Sequence, residues 1–146
     1  MGFMQLMLNN EHVIQITTQK MNKTTFCKLL GVELANTRWS WGGTRPDGSL
    51  VLIVWADEIQ QNRAMVKCHS DDASPGNEER RRHLELLSDG ALCYIAIALD
   101  DGSGRHQTIG KLRTDYLFNG INLTTDEDGN QWLDLGERIP MRDLRQ

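Results

Sequence analysis

Two uninterrupted apolar segments, residues 50–55 and 91–99, constrain the fold of this 146-residue chain more than any other feature. Both are rich in residues that favour β-strands, and every position in them is apolar. Each segment therefore predicts a strand that is buried on both faces, at the centre of a sheet. Neither segment approaches the roughly 18 residues that a membrane-spanning helix needs. We expect a globular domain with a central sheet and no membrane partner.

The length fits one domain, because roughly 100–200 residues is a common domain size. With 39% hydrophobic and 25% charged residues, the chain lies outside the collagen-like, low-complexity and disordered classes. Polarity along the chain predicts a loose leader over residues 1–20, a single α+β domain over residues 21–141 and a frayed tail over residues 142–146. The leader contains one short strand candidate, at residues 13–16.

Two hairpins are expected in the sheet. The first joins a strand at residues 36–41 to the first apolar segment, through a glycine-rich loop at residues 42–48. Residues 64–68 would extend this hairpin as a meander. The second hairpin joins residues 121–124 to residues 131–135 across a polar turn.

One short helix and one main helix complete the predicted fold. The short helix is capped by Thr24 or Thr25 and ends at Gly31, and the main helix covers residues 77–88 and ends before Gly90. The prediction is an α+β domain with a mixed or mainly antiparallel sheet. Partial closure of that sheet into a barrel is an open alternative.

Charge restricts how the chain can bind nucleic acid. It carries 16 basic and 20 acidic residues, a formal net charge of −4. Binding through bulk attraction to phosphates needs a basic surplus, which is absent here. Any contact with nucleic acid must therefore be local.

Cysteine usage and the first residues indicate the compartment. The three cysteines show no Cys-x-x-Cys spacing, so they predict neither a disulfide framework nor a zinc site. Residues 1–8 lack the basic start of a signal peptide. We expect reduced thiols in a cytoplasmic protein.

Tryptophan makes up four of the nine aromatic residues, and three of the four are close in sequence. Trp39 and Trp41 lie two positions apart, so in a strand they would share a face, and Trp55 ends the neighbouring strand. The three indoles either form core or line a pocket for a flat ring such as a nucleobase. Asn36 and Arg38 are candidate ligand-binding residues because they can hydrogen-bond a base edge or a carboxylate. Arg38 would face away from the indoles unless the strand bulges.

Carboxylates and one histidine suggest an alternative site with acid/base chemistry. Asp57 and Glu58 follow the first apolar segment, and Glu79 and His83 lie four positions apart on one face of the main helix. Solvated turn and surface positions are the other interpretation of all four. The lysine that a nuclease would carry at Glu-x-Lys spacing after Glu58 is missing. No metal site and no cofactor are predicted.

Three successive arginines at residues 80–82 form the densest basic group. Neighbouring helical residues point about 100° apart, so the three cannot share a face. The apolar stripe of Leu84 and Leu87 continues back through Arg80. Either two of these side chains reach an anionic partner while one packs along the core, or all three are solvated and pair within the helix.

Three short blocks are the most distinctive parts of the chain. They are Asn36-x-Arg38-Trp39-Ser40-Trp41, Trp55-x-Asp57-Glu58 and Pro75-Gly76-Asn77. Together they resemble an uncharacterised family of small bacterial proteins with an Asn-x-Arg-Trp-Ser-Trp motif. The resemblance covers about residues 26–125. It implies an accessory protein of a bacterial genome or mobile element, and it carries over no activity.

The sequence thus predicts a non-enzymatic binding or interaction module. Its pocket, formed by Trp39, Trp41 and Trp55, would take a small flat ligand or a nucleic-acid base. The alternative is a small metal- or carboxylate-dependent hydrolase or nuclease. A third possibility is that the same face docks a protein partner or a second copy of the chain.

Overall fold

The computed structural model describes residues 21–104, 106 and 108–146. The expected leader, with its strand candidate at residues 13–16, lies outside the described residues. The described chain forms three α-helices, eight strands and a short 3-10 helix. In chain order they are α1 (Lys23–Leu29), β1 (Gly42–Thr44), β2 (Leu50–Trp55), the 3-10 helix (Ala56–Glu58), β3 (Ile59–Gln60), β4 (Arg63–Lys67), α2 (Pro75–Ser88), β5 (Cys93–Asp100), β6 (Ile109–Leu112), β7 (Tyr116–Thr125), β8 (Gln131–Pro140) and α3 (Met141–Leu144).

All eight strands belong to one sheet, in the order β1-β2-β5-β7-β8-β4-β3, with β6 also paired to β5. Strands β2 and β5 run parallel, and the other pairs are antiparallel. This confirms the α+β class and the mainly antiparallel sheet. Two hairpins are present, β1–β2 and β7–β8, but the first strand of the β1–β2 hairpin begins at Gly42 and not within residues 36–41. The sheet does not close, because β1 and β3 remain as its two ends.

The two apolar segments form the adjacent central strands β2 and β5, as predicted. Every residue of β2 is buried. Strand β5 begins at Cys93, after Leu92, which is 67% exposed. Because side chains alternate across a strand, β2 contributes to cores on both sides of the sheet. Val51, Ile53 and Trp55 pack with α1 and α3, whereas Leu50, Leu52 and Val54 pack with α2, β4 and β8.

The helix boundaries largely follow their sequence signals. Helix α1 is capped by Asn22, whose Oδ1 accepts the backbone N–H of Thr25 at 2.8 Å, and the cap expected at Thr24 or Thr25 is wrong. Gly31 follows with a φ of 82°, a left-handed conformation that favours glycine and ends the helix. Helix α2 starts at Pro75 after the N-cap Ser74, and its Leu84 is buried.

The strand expected at residues 36–41 is wrong, because Asn36 organises a turn there. Its side-chain Oδ1 accepts the backbone N–H groups of Arg38 and Trp39, at 2.8 and 3.3 Å. These local bonds compete with strand pairing. Trp39 and Trp41 therefore do not share a strand face. The pairing strand starts at Gly42, inside the expected loop. A Cβ added at this position would clash with the Val51 carbonyl oxygen of the neighbouring strand, so the strand can pair here because residue 42 is glycine.

The third strand is present, but its neighbours differ from the expected meander. Strand β4 pairs with β3 and with β8, not with β2, because the sheet continues through β5 and β7 before it reaches β4. One end of β2 lies near β4, but no backbone hydrogen bonds pair the two strands, which leaves a gap between them. This gap is where the candidate site lies.

The end of the chain is a helix rather than the expected frayed tail. Met141 and Leu144 lie three positions apart on one face of α3, and both are buried in the core beside α1. The Gln146 N–H donates to the Leu29 carbonyl at 2.9 Å. The buried Arg45 links the two helices, since its Nε donates to the Leu30 carbonyl and its Nη2 to the Leu144 carbonyl.

Candidate functional site

A cavity of about 250 Å³ opens between the end of β2, strand β4 and the start of α2. We call it the aromatic cavity. Its polar lining includes Glu58 after β2, Lys67 on β4, Asp71 after β4, and Asn77 and Arg80 on α2. Residues distant in sequence thus meet at the unpaired gap of the sheet.

Three rings form the aromatic side of this cavity. The centroids of Trp41 and Trp55 are 5.2 Å apart, with their planes tilted by 52°. The His106 imidazole stacks on Trp55, with centroids 4.8 Å apart and planes 13° from parallel. Tilted and stacked contacts of this kind are favourable arrangements for aromatic rings. Two indoles and an imidazole therefore form one continuous aromatic wall of the cavity.

Helix α2 fixes the backbone that carries Trp41. The buried Glu79 carboxylate accepts hydrogen bonds from Ser40 Oγ, at 3.2 Å, and from the Trp41 backbone N–H. Arg80 Nη2 donates to the Trp41 carbonyl at 3.1 Å. Lys23 Nζ donates to the Ser40 carbonyl at 2.7 Å and lies 4.5 Å from the Trp41 ring centroid. Trp41 is thus held by three charged side chains although it lies outside any strand.

Arg80 spans the gap in the sheet. Besides the Trp41 carbonyl, its guanidinium donates to the Ile53 carbonyl of β2 at 2.9 Å and to the Val66 carbonyl of β4 at 2.8 Å. These three acceptors leave the guanidinium two further N–H groups, because arginine has five. Arg80 therefore binds the two strand ends together and forms part of the cavity wall.

Two aspartates hold His106 at the mouth of the cavity, one through its ring and one through its backbone. Its Nε2 lies 2.7 Å from Asp57 Oδ2, and its backbone N–H donates to Asp100 at 3.1 Å. The residue has a φ of 55°, an uncommon conformation for a side chain of this size. The hydrogen bond to Asp57 raises the pKa of His106, with smaller contributions from the charges of Asp57, Glu58 and Asp100. The imidazole consequently keeps its proton to a higher pH than a free histidine.

Glu58 is the cavity carboxylate with the strongest sign of a functional environment. Its side chain is half-buried, and it has no hydrogen-bond partner among the described residues. Burial raises the pKa of Glu58, and the positive charge of His106 opposes that rise. A carboxyl group that lies in a cleft and has a shifted pKa is typical of a functional site.

The structure separates the residues that the sequence proposed for ligand binding. Trp41 and Trp55 line the aromatic cavity, whereas Trp39 does not. Asn36 shapes the turn that precedes Trp41, and Arg38 lies on the other side of Trp41, in a neighbouring groove.

The four acid/base candidates are also divided. Glu58 lines the cavity and Asp57 holds His106 at its mouth. Glu79 faces the Trp41 backbone, and His83 lies one turn further along α2. Burial, together with the charges of Arg80 and Arg82, lowers the pKa of His83 to about 4. The four residues therefore do not form one site.

Arg80 and His106 are the two main residues that sequence reasoning did not place in the site. The signal for Arg80 was its position on the apolar stripe of α2, four residues before the buried Leu84. No local pattern identified His106, which reaches Trp55 and Asp57 from a loop distant in sequence.

Within residues 21–104, 106 and 108–146, no group of three or more histidine, cysteine, aspartate or glutamate side chains is arranged to hold a metal ion. No helix of that part of the chain is both long and apolar enough to cross a membrane. Comparison of the chain with family models, curated proteins and solved structures returned no match. The resemblance to small bacterial accessory proteins therefore stays a prediction.

Proposed function

We propose that this protein is a binding module that holds a flat nitrogen heterocycle, such as a nucleobase, in the aromatic cavity. The observation that carries the proposal is the arrangement of Trp41, Trp55 and His106 around a cavity that also contains Glu58. Aromatic rings bind planar ligands by stacking, which is sequence-tolerant because every base has a π-face.

The size of the cavity favours a small ligand. Pockets for drug-sized molecules have volumes of roughly 300–1,000 Å³. The aromatic cavity, at about 250 Å³, lies below that range. A single base or a similar ring system fits this space better than an extended molecule.

Polar groups in the wall supply the edge contacts that a heterocycle needs. Glu58 is free among the described residues to accept or, when protonated, to donate a hydrogen bond. Asn77 donates its amide N–H groups to Asp72, at 2.9 and 3.1 Å, which leaves its carbonyl oxygen as an acceptor. These acceptors match the exocyclic amino groups of nucleobases.

A binding experiment with nucleosides tests the proposal. Calorimetric titration with adenosine, cytidine, guanosine and uridine should show saturable binding of at least one of them. Glu58→Gln should weaken that binding about tenfold, since a hydrogen bond to a charged group contributes about 1.5–3 kcal/mol. Trp41→Phe should also weaken it, because the smaller ring offers less stacking area.

Trp39→Phe is the matched control, since Trp39 lies outside the cavity and the chemical change is the same. It should leave the dissociation constant within twofold. The proposal is wrong if none of the four nucleosides binds, or if Trp39→Phe weakens binding as much as Trp41→Phe.

A hydrolase is the second candidate, on one observation. Asp57 and His106 form a close pair next to Glu58, which is a geometry that supports acid/base catalysis. This version uses Asp57, Glu58 and His106, and it no longer includes Glu79 or His83. Hydrolysis of a bound nucleoside that is lost in both Glu58→Gln and Asp57→Asn would favour it over simple binding.

The thiols support the proposed cytoplasmic location. Cys27, Cys68 and Cys93 are all free in the structure. Burial raises the pKa of Cys27 to about 11 and that of Cys93 to about 12, so these two thiols stay protonated and unreactive. Such thiols are typical of proteins in a reducing compartment.

A further inference from the structure

A second concavity lies on the other side of Trp41. This groove, of about 320 Å³, is lined by Trp41 together with the beginning of α1, the Asn36 turn and the start of β6. We call it the Lys23–Arg38 groove after its two charged residues. Trp41 lines both concavities, so a ligand that stacks on this indole can extend into the groove.

The two concavities differ in charge. The described residues that line the Lys23–Arg38 groove include two cations and no carboxylate. The described lining of the aromatic cavity instead mixes two carboxylates, Glu58 and Asp71, with the cations Lys67 and Arg80. In a chain with a net charge of −4, two cations together without an acidic neighbour in the lining are a local exception. Such a groove attracts an anion.

Both cations keep hydrogen-bond donors available. The Arg38 side chain is exposed, and none of its guanidinium nitrogens has a hydrogen-bond or ion-pair partner among the described residues. Lys23 donates one N–H to the Ser40 carbonyl, which leaves two on its ammonium group. A planar guanidinium and an ammonium group are the common partners of phosphate in proteins.

We propose that the Lys23–Arg38 groove binds the phosphate of a nucleotide whose base lies in the aromatic cavity. This inference rests on the proposed function and deepens it, because it names a phosphorylated ligand rather than a bare heterocycle. The phosphate belongs either to a free nucleotide or to a nucleic-acid strand, and the two sources share the same contact chemistry. Trp41 separates the base from the phosphate.

Three ligands and two variants test the inference. The ligands are a nucleoside, its 5′-monophosphate and a trinucleotide of the same base. Calorimetry measures the affinity of each ligand for the intact chain, for Arg38→Glu and for Arg142→Glu. Arg142 is the matched control because its side chain is 85% exposed and it is absent from both linings. Its replacement causes the same change in net charge.

We expect the monophosphate to bind at least tenfold more tightly than the nucleoside. Arg38→Glu should abolish this gain without changing nucleoside affinity, and Arg142→Glu should preserve it. The gain should also shrink as salt rises from 50 to 200 mM, as expected for phosphate contacts. A trinucleotide that binds more tightly than the monophosphate identifies a strand as the source, whereas equal affinities identify the free nucleotide, and both results support the groove.

The results also separate this inference from the proposed function. If the nucleoside binds but the phosphate adds no affinity, or if both charge-reversed variants lose the gain equally, the groove assignment is overturned and the base-binding proposal stands. If no nucleoside, nucleotide or trinucleotide binds, both are overturned.

Discussion

Nε2 of His106 lies 2.7 Å from Oδ2 of Asp57, and the two residues are 49 positions apart in the chain. This contact brings a loop over the end of β2 and places an imidazole on Trp55. It is a hydrogen bond of charge-assisted length, so it is expected to orient the ring as well as to favour its protonated form.

The His106 pair makes the state of the cavity dependent on pH. The hydrogen bond to Asp57 raises the pKa of His106, so NMR titration should give a midpoint above the ordinary value of about 6.5. A histidine with a raised folded pKa stabilises the fold below its unfolded pKa, and this stabilisation is lost as the pH rises through the folded pKa. The effect on stability should be small, because the two side chains are 30% and 66% exposed. Asp57→Asn should move the midpoint down, and an unchanged midpoint would contradict this account.

Replacing Glu58 should weaken ligand binding without lowering the free energy of unfolding. Burial raises the pKa of Glu58, which means that its charged form is disfavoured in the folded protein. Glu58→Gln should therefore keep or slightly raise the free energy of unfolding at pH 7–8, within about 0.5 kcal/mol. Below about pH 3, where the carboxyl group is protonated in both the folded and the unfolded state, the difference should vanish. Urea denaturation at the two pH values measures it, and a loss of more than about 1 kcal/mol at pH 7 would show that the carboxylate is structural.

Arg80 should be the most important charged residue for stability around the site. Arg80→Met removes the donors to the carbonyls of Trp41, Ile53 and Val66. The Trp41 carbonyl keeps the Ile53 N–H as a second donor, but the part-buried Ile53 and Val66 carbonyls lose the arginine, so we expect the free energy of unfolding to fall by about 2–4 kcal/mol. Arg81→Met is the control, since Arg81 is exposed and its partners among the described residues are Glu78 and Glu85 on its own helix. It should cost less than about 1 kcal/mol, and equal losses in urea denaturation would refute the bridging role.

The end of the chain should be part of the cooperative fold. Leu144 is 6% exposed and packs in the core beside α1. Leu144→Ala should lower the free energy of unfolding by about 2–4 kcal/mol, as expected for a core leucine. Arg142→Ala, at an exposed position of the same helix, should change it by less than about 0.5 kcal/mol. A wild-type melting temperature for Leu144→Ala would mean that the tail is frayed in solution.

The central strands and the main helix were predictable because their signals are local. A fully apolar segment identifies a buried strand, and the helix-forming residues 77–88 followed by Gly90 identify α2. The segment around Trp39 and Trp41 was not predictable in the same way. Alternating tryptophans favour a strand, but the Asn36 side chain forms two backbone hydrogen bonds that favour a turn.

The candidate site was only partly predictable, because it depends on contacts between distant segments. Trp41, Trp55 and Glu58 stood out by residue type and position. Their partners did not, since His106 meets Trp55 through the fold alone. Glu79 was a candidate for acid/base chemistry, whereas in the structure it holds the segment of Ser40 and Trp41. A buried carboxylate on a helix can have either role, and only its neighbours decide between them.

The guanidinium of Arg80 replaces the backbone hydrogen bonds that would otherwise join β2 to β4. A barrel closed by strand pairing has a mouth of fixed diameter, because the number and stagger of its strands set its size. Here the mouth is spanned by one long side chain with several rotatable bonds. The width of this opening is therefore set by the three hydrogen bonds of a single guanidinium and not by a ladder of strand pairs.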